Sequence, residues 1–220
     1  MEKKLAIKLR KFNRICPIAG YKEESIKVGA QVIVLTDRGE ECGSIVAFSH
    51  KYPKMTASDV RLKKVIRYAT EEDINIVRDL PRMDNEALVR AAEKIKEFEL
   101  IIKLIDVEYL FDTKKVNIYY KVQKDKHTPD LKAFRKDLGM SLQAEVTMRS
   151  LTPRDEAKIY SGLGPCGRAL CCASWLEKPR HITVKMVKEA GFSISPTRTS
   201  GICGRLMCCF GYDKEEGGRT

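Results

Sequence analysis

Six of the chain's eight cysteines fall in two copies of one nine-residue phrase, Gly-x-Cys-Gly-Arg-x-x-Cys-Cys. The first copy runs from Gly164 to Cys172, and the second from Gly201 to Cys209, thirty-seven residues on. The thiols concerned are Cys166, Cys171, Cys172, Cys203, Cys208 and Cys209. Cysteine is a poor choice for a surface loop, so the same spacing used twice calls for a chemical reason. Three chemistries compete: thiolate ligation of a metal or iron–sulfur cluster, a disulfide framework or redox switch, and small buried side chains filling a core. Ligation leads. Clustered cysteines in a reducing compartment act more often as ligands than as crosslinks.

The spacing narrows the options. Cys166 and Cys171 stand in a C-x4-C interval, long enough to wrap a ligand group. That interval is part of the plant-type iron–sulfur pattern, whose remainder is absent here. Cys171 and Cys172 are adjacent, as are Cys208 and Cys209; on a helix such neighbours point about 100° apart. Six thiolates exceed the four of one ordinary zinc or 4Fe–4S site and fall short of the eight that two would need. Either two thiols are not ligands, or other groups complete a second site. Two copies are too few for a solenoid and read as two halves of one site or as two neighbouring sites.

Within each phrase Gly167 and Gly204 let the backbone turn closely around a ligand. Arg168 and Arg205 could hydrogen-bond sulfur, lower a thiol pKa or face an acidic partner. His50, His127 and His181 are scattered, and only His181, between the copies, is a spare ligand by position. Cys16 and Cys42 lie far upstream on predicted strands and read as core or surface thiols. Among motifs of nucleotide-binding and hydrolytic sites, no P-loop, GxGxxG, HExxH or GxSxG stands out.

The elements around these residues read as α+β, in parts with different patterning. Residues 1–67 form a β-rich part: Leu5 to Lys11 alternates, and Gln31 to Leu35 leads through Thr36-Asp37-Arg38-Gly39 into Cys42 to Phe48, a hairpin signal. A small, open, barrel-like sheet is the expected packing. Residues 68–150 read as helices on one face of an antiparallel sheet. Thr70 starts one helix, and Asp84 caps a longer one over about 85–102, with Leu88, Ala91, Ala92, Ile95, Phe98 and Ile102 on one face. Strands over Val107–Phe111 and Val116–Val122 follow, then a helix opened by Thr128-Pro129 and stopped at Gly139, then a strand from Leu142 to Met148. Residues 151–212 form the duplicated cysteine module, with short helices near 153–160 and 184–190. Residues 213–220 are a polar tail.

Composition bounds the setting. A net charge of +11 and a pI near 9.2 favour an anionic partner such as RNA, DNA or an acidic protein surface. An aromatic content of 7% argues against a base-stacking platform. The basic N-terminus lacks the apolar run of a signal peptide, and no segment approaches the roughly 18–20 apolar residues of a membrane span. The expected location is the cytoplasm.

The double phrase closely resembles the RicT (YaaT) branch of the family defined by the polymerase-suppressor C-terminal domain. Arg154-Asp155-Glu156-Ala157-Lys158, Ile182 to Lys188, Ser195-Pro196-Thr197, Asp106-Val107-Glu108, Val32 to Val46 and Arg61 to Ile66 also match, so the likeness covers most of the chain. It implies a bacterial, non-enzymatic subunit that joins two small helical partners, RicA-like and RicF-like. It further implies 4Fe–4S clusters on that complex, which directs RNase Y towards messenger-RNA maturation in sporulation, competence and biofilm formation. On this resemblance the six repeat cysteines are the ligands, with partner cysteines completing the set, and RNA is a further candidate partner. Cys16 and Cys42 fall outside the family pattern. A zinc-stabilised nucleic-acid-binding module and a thiol redox sensor are the other readings of the same residues.

Overall fold

Alternation of apolar and polar residues builds the first part of the chain into strands. In the computed structural model, which describes residues 4–11, 15–19, 27–36, 38–48, 63–122, 130–174, 176 and 179–211, these are β1 (Lys4–Leu9), β2 (Ile15–Ala19), β3 (Gln31–Thr36), β4 (Gly39–Phe48) and β5 (Lys63–Tyr68). The expected barrel-like part is present. Its pairings run in a ring, β1-β2-β5-β3-β4, and β4 returns to β1. The β3–β4 hairpin pairs Thr36 with Gly39. The β2–β5 step is the slightest, a parallel ladder pairing Ile18 with Lys63 and Ala19 with Lys64. Leu5, Ile7, Leu9, Val32, Val34 and Ile45 pack together as its core. Of the sequence features read above, Asp37, His50, His127, Thr128, Pro129 and the tail from residue 213 lie outside the described residues.

A single helix, α1 (Glu71–Glu97), stands where two were expected. Its start is as read: Thr70 accepts from the Asp73 amide, and the Asp73 carboxylate accepts from the Thr70 amide. Pro81 sits inside the helix without ending it. Asp84 does not cap; it is buried, accepting from the Tyr109 amide at 2.7 Å and from Arg10 at 2.6 Å. Proline and aspartate are breaking and capping signals in isolation, but here tertiary partners satisfy them inside one helix.

The second sheet comprises β6 (Ile102–Tyr109), β7 (Lys115–Val122) and β8 (Glu145–Ser150), in that order. It is mixed, correcting the expected antiparallel layer. β6 and β7 are antiparallel, whereas β8 runs parallel to β7 because α2 (Lys132–Leu142) lies between them as a crossover. Gly139 is an ordinary position within α2. The helix ends at Leu142, and Gln143 follows in the left-handed region at φ 51°. Val107, Tyr109, Val116, Ile118, Tyr120 and Val146 pack with Leu80, Ala87, Ala91 and Ile95 of α1 and Phe134 and Leu138 of α2.

Among the polar residues of β6 and β7, Glu108, Asn117 and Tyr119 are buried. Arg38 donates to Glu108 at 2.8 Å, to Tyr119 at 3.0 Å and to Glu41 at 2.9 Å. All four side chains are almost wholly buried. Lys11 adds a bond to Asp106 at 2.7 Å. The barrel therefore meets the sheet across an ionic seam. Burial opposes the Arg38 charge, but its bonds to Glu41 and the field of Glu108 outweigh that and raise its pKa. Burial, followed by the Glu108 charge, pushes the Tyr119 phenol up and keeps it protonated.

The chain divides into two compact units, residues 1–150 and 151–220. In the second, α3 (Pro153–Tyr160), α4 (Cys171–Ser174), α5 (Val184–Glu189) and α6 (Pro196–Thr199) alternate with turns. Thr152 caps α3 with a box completed by Asp155, and Thr183 caps α5. Among the described residues no helix is long and apolar enough to cross a membrane.

Two stability outcomes follow for the first unit. Arg38→Ala strands Glu41 and Glu108 in the interior and should cost about 3–5 kcal/mol in urea unfolding. The Arg67 guanidinium, with the Thr70 amide, holds the Asp73 carboxyl well below the usual carboxylate range. A lowered carboxylate pKa stabilises the fold above the unfolded value, and the benefit is lost as pH falls through the folded one. Asp73→Asn should therefore flatten the acid limb of a stability–pH profile followed by circular dichroism.

Candidate functional site

Both cysteine phrases adopt the same hairpin knuckle. In the first, the Gly164 amide donates to the Arg168 carbonyl at 2.8 Å, the Gly167 amide to Gly164 at 2.9 Å and the Leu170 amide to Gly162 at 3.2 Å. In the second, Gly201 donates to Arg205 at 2.9 Å, Gly204 to Gly201 at 2.9 Å and Met207 to Thr199 at 3.0 Å. An isolated bridge closes each one, Leu163 with Ala169 and Ser200 with Leu206. Every equivalence is separated by thirty-seven residues, so the sequence repeat is a repeat of backbone. Gly167 and Gly204 have φ of +74° and +71°. A Cβ at either would meet nothing within 4 Å, so glycine is required there by the left-handed backbone and not by space.

Each knuckle is followed by a helical turn: α4 in the first copy carries both Cys171 and Cys172, whereas in the second Cys208 precedes the turn and Cys209 opens it, over residues 209–211. Apolar residues anchor the two. Leu170 and Ala173 are buried with Ala157 of α3, and Cys172 and Cys203 pack against that cluster. Leu206, Met207 and Phe210 of the second copy gather with Ile182, Met186 and Val187, and Phe192 packs on Phe210 at a centroid distance of 5.1 Å. Arg180 donates to the Gly211 carbonyl at 2.7 Å and ties down the end of the second copy.

The structure brings the two phrases into one neighbourhood. Cys203 belongs to the second copy yet rests on the hydrophobic cluster of the first. Burial raises the Cys171 thiol, with further contributions from Cys209, Cys208 and Cys166. Burial also raises Cys172, where Cys208 and Cys203 add to the effect and Lys158 and Arg154 oppose it. Cys208 is raised by burial and by Cys203, against Arg154 and Lys158. Each copy is thus felt by the other. All six are thiols and none forms a disulfide; Cys166 is exposed and the other five are partly buried. Among the described residues, no three Cys, His, Asp or Glu side chains are arranged as a metal-holding group.

Thiols gathered in this way disfavour one another's ionisation, and a soft cation or cluster relieves that penalty by binding the thiolates. The donor chemistry suits such a group. Among the described residues the enclosed Arg154 Nε has no hydrogen-bond partner. Arg168 and Arg205 are exposed at the knuckles. His181 is exposed. Cys42 is on β4 in the other unit, where burial pushes its thiol up to about 11. Cys16 is on β2, with its side chain outside the described residues.

Sequence reading singled out neither Arg154 nor Lys158 as site residues. The available signal was their position: Arg154 is three residues before Ala157 and four before Lys158, which puts all three on one face of a helix.

Two stretches match models of one family. Residues 63–151 match the PSP1 C-terminal conserved region, and residues 181–216 match the third domain of PSP1-like proteins. The second cysteine phrase lies inside the latter match; the first lies between the two. The chain is 37% identical over 185 residues to the stage 0 sporulation protein YaaT of Bacillus subtilis (strain 168), across 84% of this chain and 66% of that protein. It therefore spans just under two thirds of that relative's length. No solved structure matches.

Accessibility and ionisation together predict an order of alkylation. Iodoacetamide at about pH 8 should label exposed Cys166 before the partly buried Cys171, Cys172 and Cys208, and leave Cys42 unmodified until the protein unfolds, as read by peptide mass spectrometry.

Proposed function

The chain belongs to the PSP1 family, in the YaaT (RicT) branch, and from that membership we propose that it is a non-enzymatic, cytoplasmic iron–sulfur subunit of a bacterial complex directing RNase Y-dependent messenger-RNA processing. The observation that carries the ligation part is the convergence of two identically folded knuckles. They bring Cys172 and Cys203, from different copies, onto one apolar cluster, with Cys208 of the second copy near Cys171 and Cys172 of the first. The name of the B. subtilis relative supports a role in entry into sporulation. Competence and biofilm formation belong to the same reading.

A 4Fe–4S cluster, when bound, supplies a thiolate-anchored structural centre that is sensitive to oxidant. The chain's own residues do the rest. Cys172 and Cys203 rest on Ala157, Leu170 and Ala173, which keep water from that side. Cys166 stays at the surface, where a RicA-like or RicF-like partner can add the thiolates that six cysteines leave wanting. Gly167 and Gly204 set the left-handed turns that precede the cysteine pairs. The excess of basic residues suits an anionic surface, whether RNA or an acidic face of the nuclease complex.

The test is metal analysis of anaerobically purified protein, alone and with both partners. The expected result is iron and acid-labile sulfide in equal amounts, about four of each per site, lost on replacing Cys166 and Cys203 together by Ser. Stoichiometric zinc without sulfide would instead establish a structural zinc module. Reversible disulfides between the copies, with no metal at all, would establish a redox sensor.

A further inference from the structure

Alternation along β6, β7 and β8 divides their sheet into two faces. Val107, Val116, Ile118, Tyr120 and Val146 turn towards α1 and α2 in the core. The residues between them turn the other way. Pairing register sets that second face in rows across the strands: Glu108, Asn117 and Thr147, then Asp106, Tyr119 and Arg149, then Lys103 and Lys121. Arg38 of the barrel takes Glu108 and Tyr119, and Lys11 takes Asp106. The carboxylates of these rows are thus engaged from the barrel side, and the far end of the face presents Lys103, Lys121 and Arg149. Lys103 and Arg149 are exposed, and Lys121 is half-buried.

Lys103 and Lys121 stand directly opposite each other on antiparallel strands, where Cβ atoms are roughly 5 Å apart and like charges repel. Arg149, on the same face, has no carboxylate partner among the described residues; its Nε donates to the Asn117 Oδ1 at 3.1 Å. That bond holds the guanidinium by one edge and leaves the terminal pair of nitrogens, a fork that matches two oxygens of a phosphate. Asn117 is only 3% exposed, and its Nδ2 is enclosed without an acceptor among the described residues. An unpartnered buried donor destabilises a fold, and an apolar side chain of similar size would fill the space without that cost. What the amide contributes is its oxygen, which aims Arg149.

Charge alone would suit an acidic protein as well as a nucleic acid, but the make-up of the face separates them. Among the described residues, none of the large apolar side chains that are exposed lies on β6, β7 or β8. Protein interfaces form around an apolar or aromatic centre, whereas nucleic-acid interfaces are polar and cationic. We propose that this end of the sheet binds the phosphate backbone of RNA. Arg149, positioned by Asn117, grips one phosphate through its terminal nitrogens, and Lys103 and Lys121 neutralise its neighbours. That the polyanion is RNA rests on the messenger-RNA reading above; the place and the mode of binding rest on the sheet.

Fluorescence anisotropy of a labelled oligouridylate with the full chain, over a series of potassium chloride concentrations, tests it. Arg149→Gln should weaken binding about tenfold, the lower end for a hydrogen bond to a charged group. It should also lower the slope of log affinity against log salt by about 0.7, the share of one phosphate on a single strand. Lys103→Gln with Lys121→Gln should lower that slope by about twice as much. Arg149→Lys keeps the charge but neither the fork nor the bond to Asn117, so it should weaken binding and leave the slope unchanged. Asn117→Leu should resist urea at least as well as the unsubstituted chain and yet bind more weakly; a purely structural Asn117 would change stability and leave binding intact. Lys185→Gln, on α5 of the other unit, should bind as the unsubstituted chain does, and an equal loss there would overturn the site in favour of net charge. Unchanged affinity and slope in Arg149→Gln would also overturn it. Preference for polyglutamate over oligouridylate would replace RNA by an acidic protein, and preference for a deoxyribose oligomer would replace it by DNA. No binding by the unsubstituted chain would overturn the inference entirely, while iron and sulfide content remains the separate measure of the ligation reading.

Discussion

The packing of Cys203 onto Ala157, Leu170 and Ala173 is the contact on which the candidate site depends. Without it the second unit holds two separate knuckles, each with three thiols and too few donors for an ordinary four-ligand site. With it Cys171, Cys172 and Cys208 lie partly buried near thiols of the two copies, and burial with those neighbours raises their cost of ionisation. The apolar residues that accomplish this are small. Ala157 and Ala173 allow a close approach that a bulkier side chain would block, so the hydrophobic effect here brings reactive groups together instead of filling a large core.

The first unit solves a different problem. Its barrel and its mixed sheet meet through Arg38, Glu41, Glu108 and Tyr119, with Lys11 and Asp106 beside them. Apolar surfaces can slide over one another at little cost, but a buried guanidinium held by two carboxylates cannot. In this protein the seam fixes how β6 and β7 face the barrel and accounts for Glu108 and Tyr119, polar residues buried on those strands. The region matching the PSP1 C-terminal model includes all of β6, β7 and β8 and stops at their end.

Local signals in the chain were legible where local chemistry decides them. The Thr70 cap, the β3–β4 hairpin and the short helix from Pro153 each follow from residues within one turn of each other. Misreadings arose where a distant partner overrides a local preference. Asp84 has every local mark of a helix cap but is spent on Tyr109 and Arg10, so α1 continues past it. The parallel pairing of β8 is set by the α2 crossover and leaves no trace in the strand's own alternation. The cysteines announced themselves through spacing. The cations beside them did not, because an Arg and a Lys on a short helix look the same in sequence whether they face water or sulfur.

Duplication within one polypeptide gives the site a property that two associating subunits would lack. A chain carrying a single knuckle could assemble the same neighbourhood only by pairing with a second copy across a twofold axis, and both halves would then have to be identical. Joined in one chain, the halves meet at an effective concentration independent of how much protein the cell makes. They are also released from symmetry, so the residues flanking the two copies are free to differ, as Arg154 and Gly191, thirty-seven residues apart, do. Tandem fusion thus turns a symmetric cradle into a polarised one, with a permanent inside and an outside available for exchange.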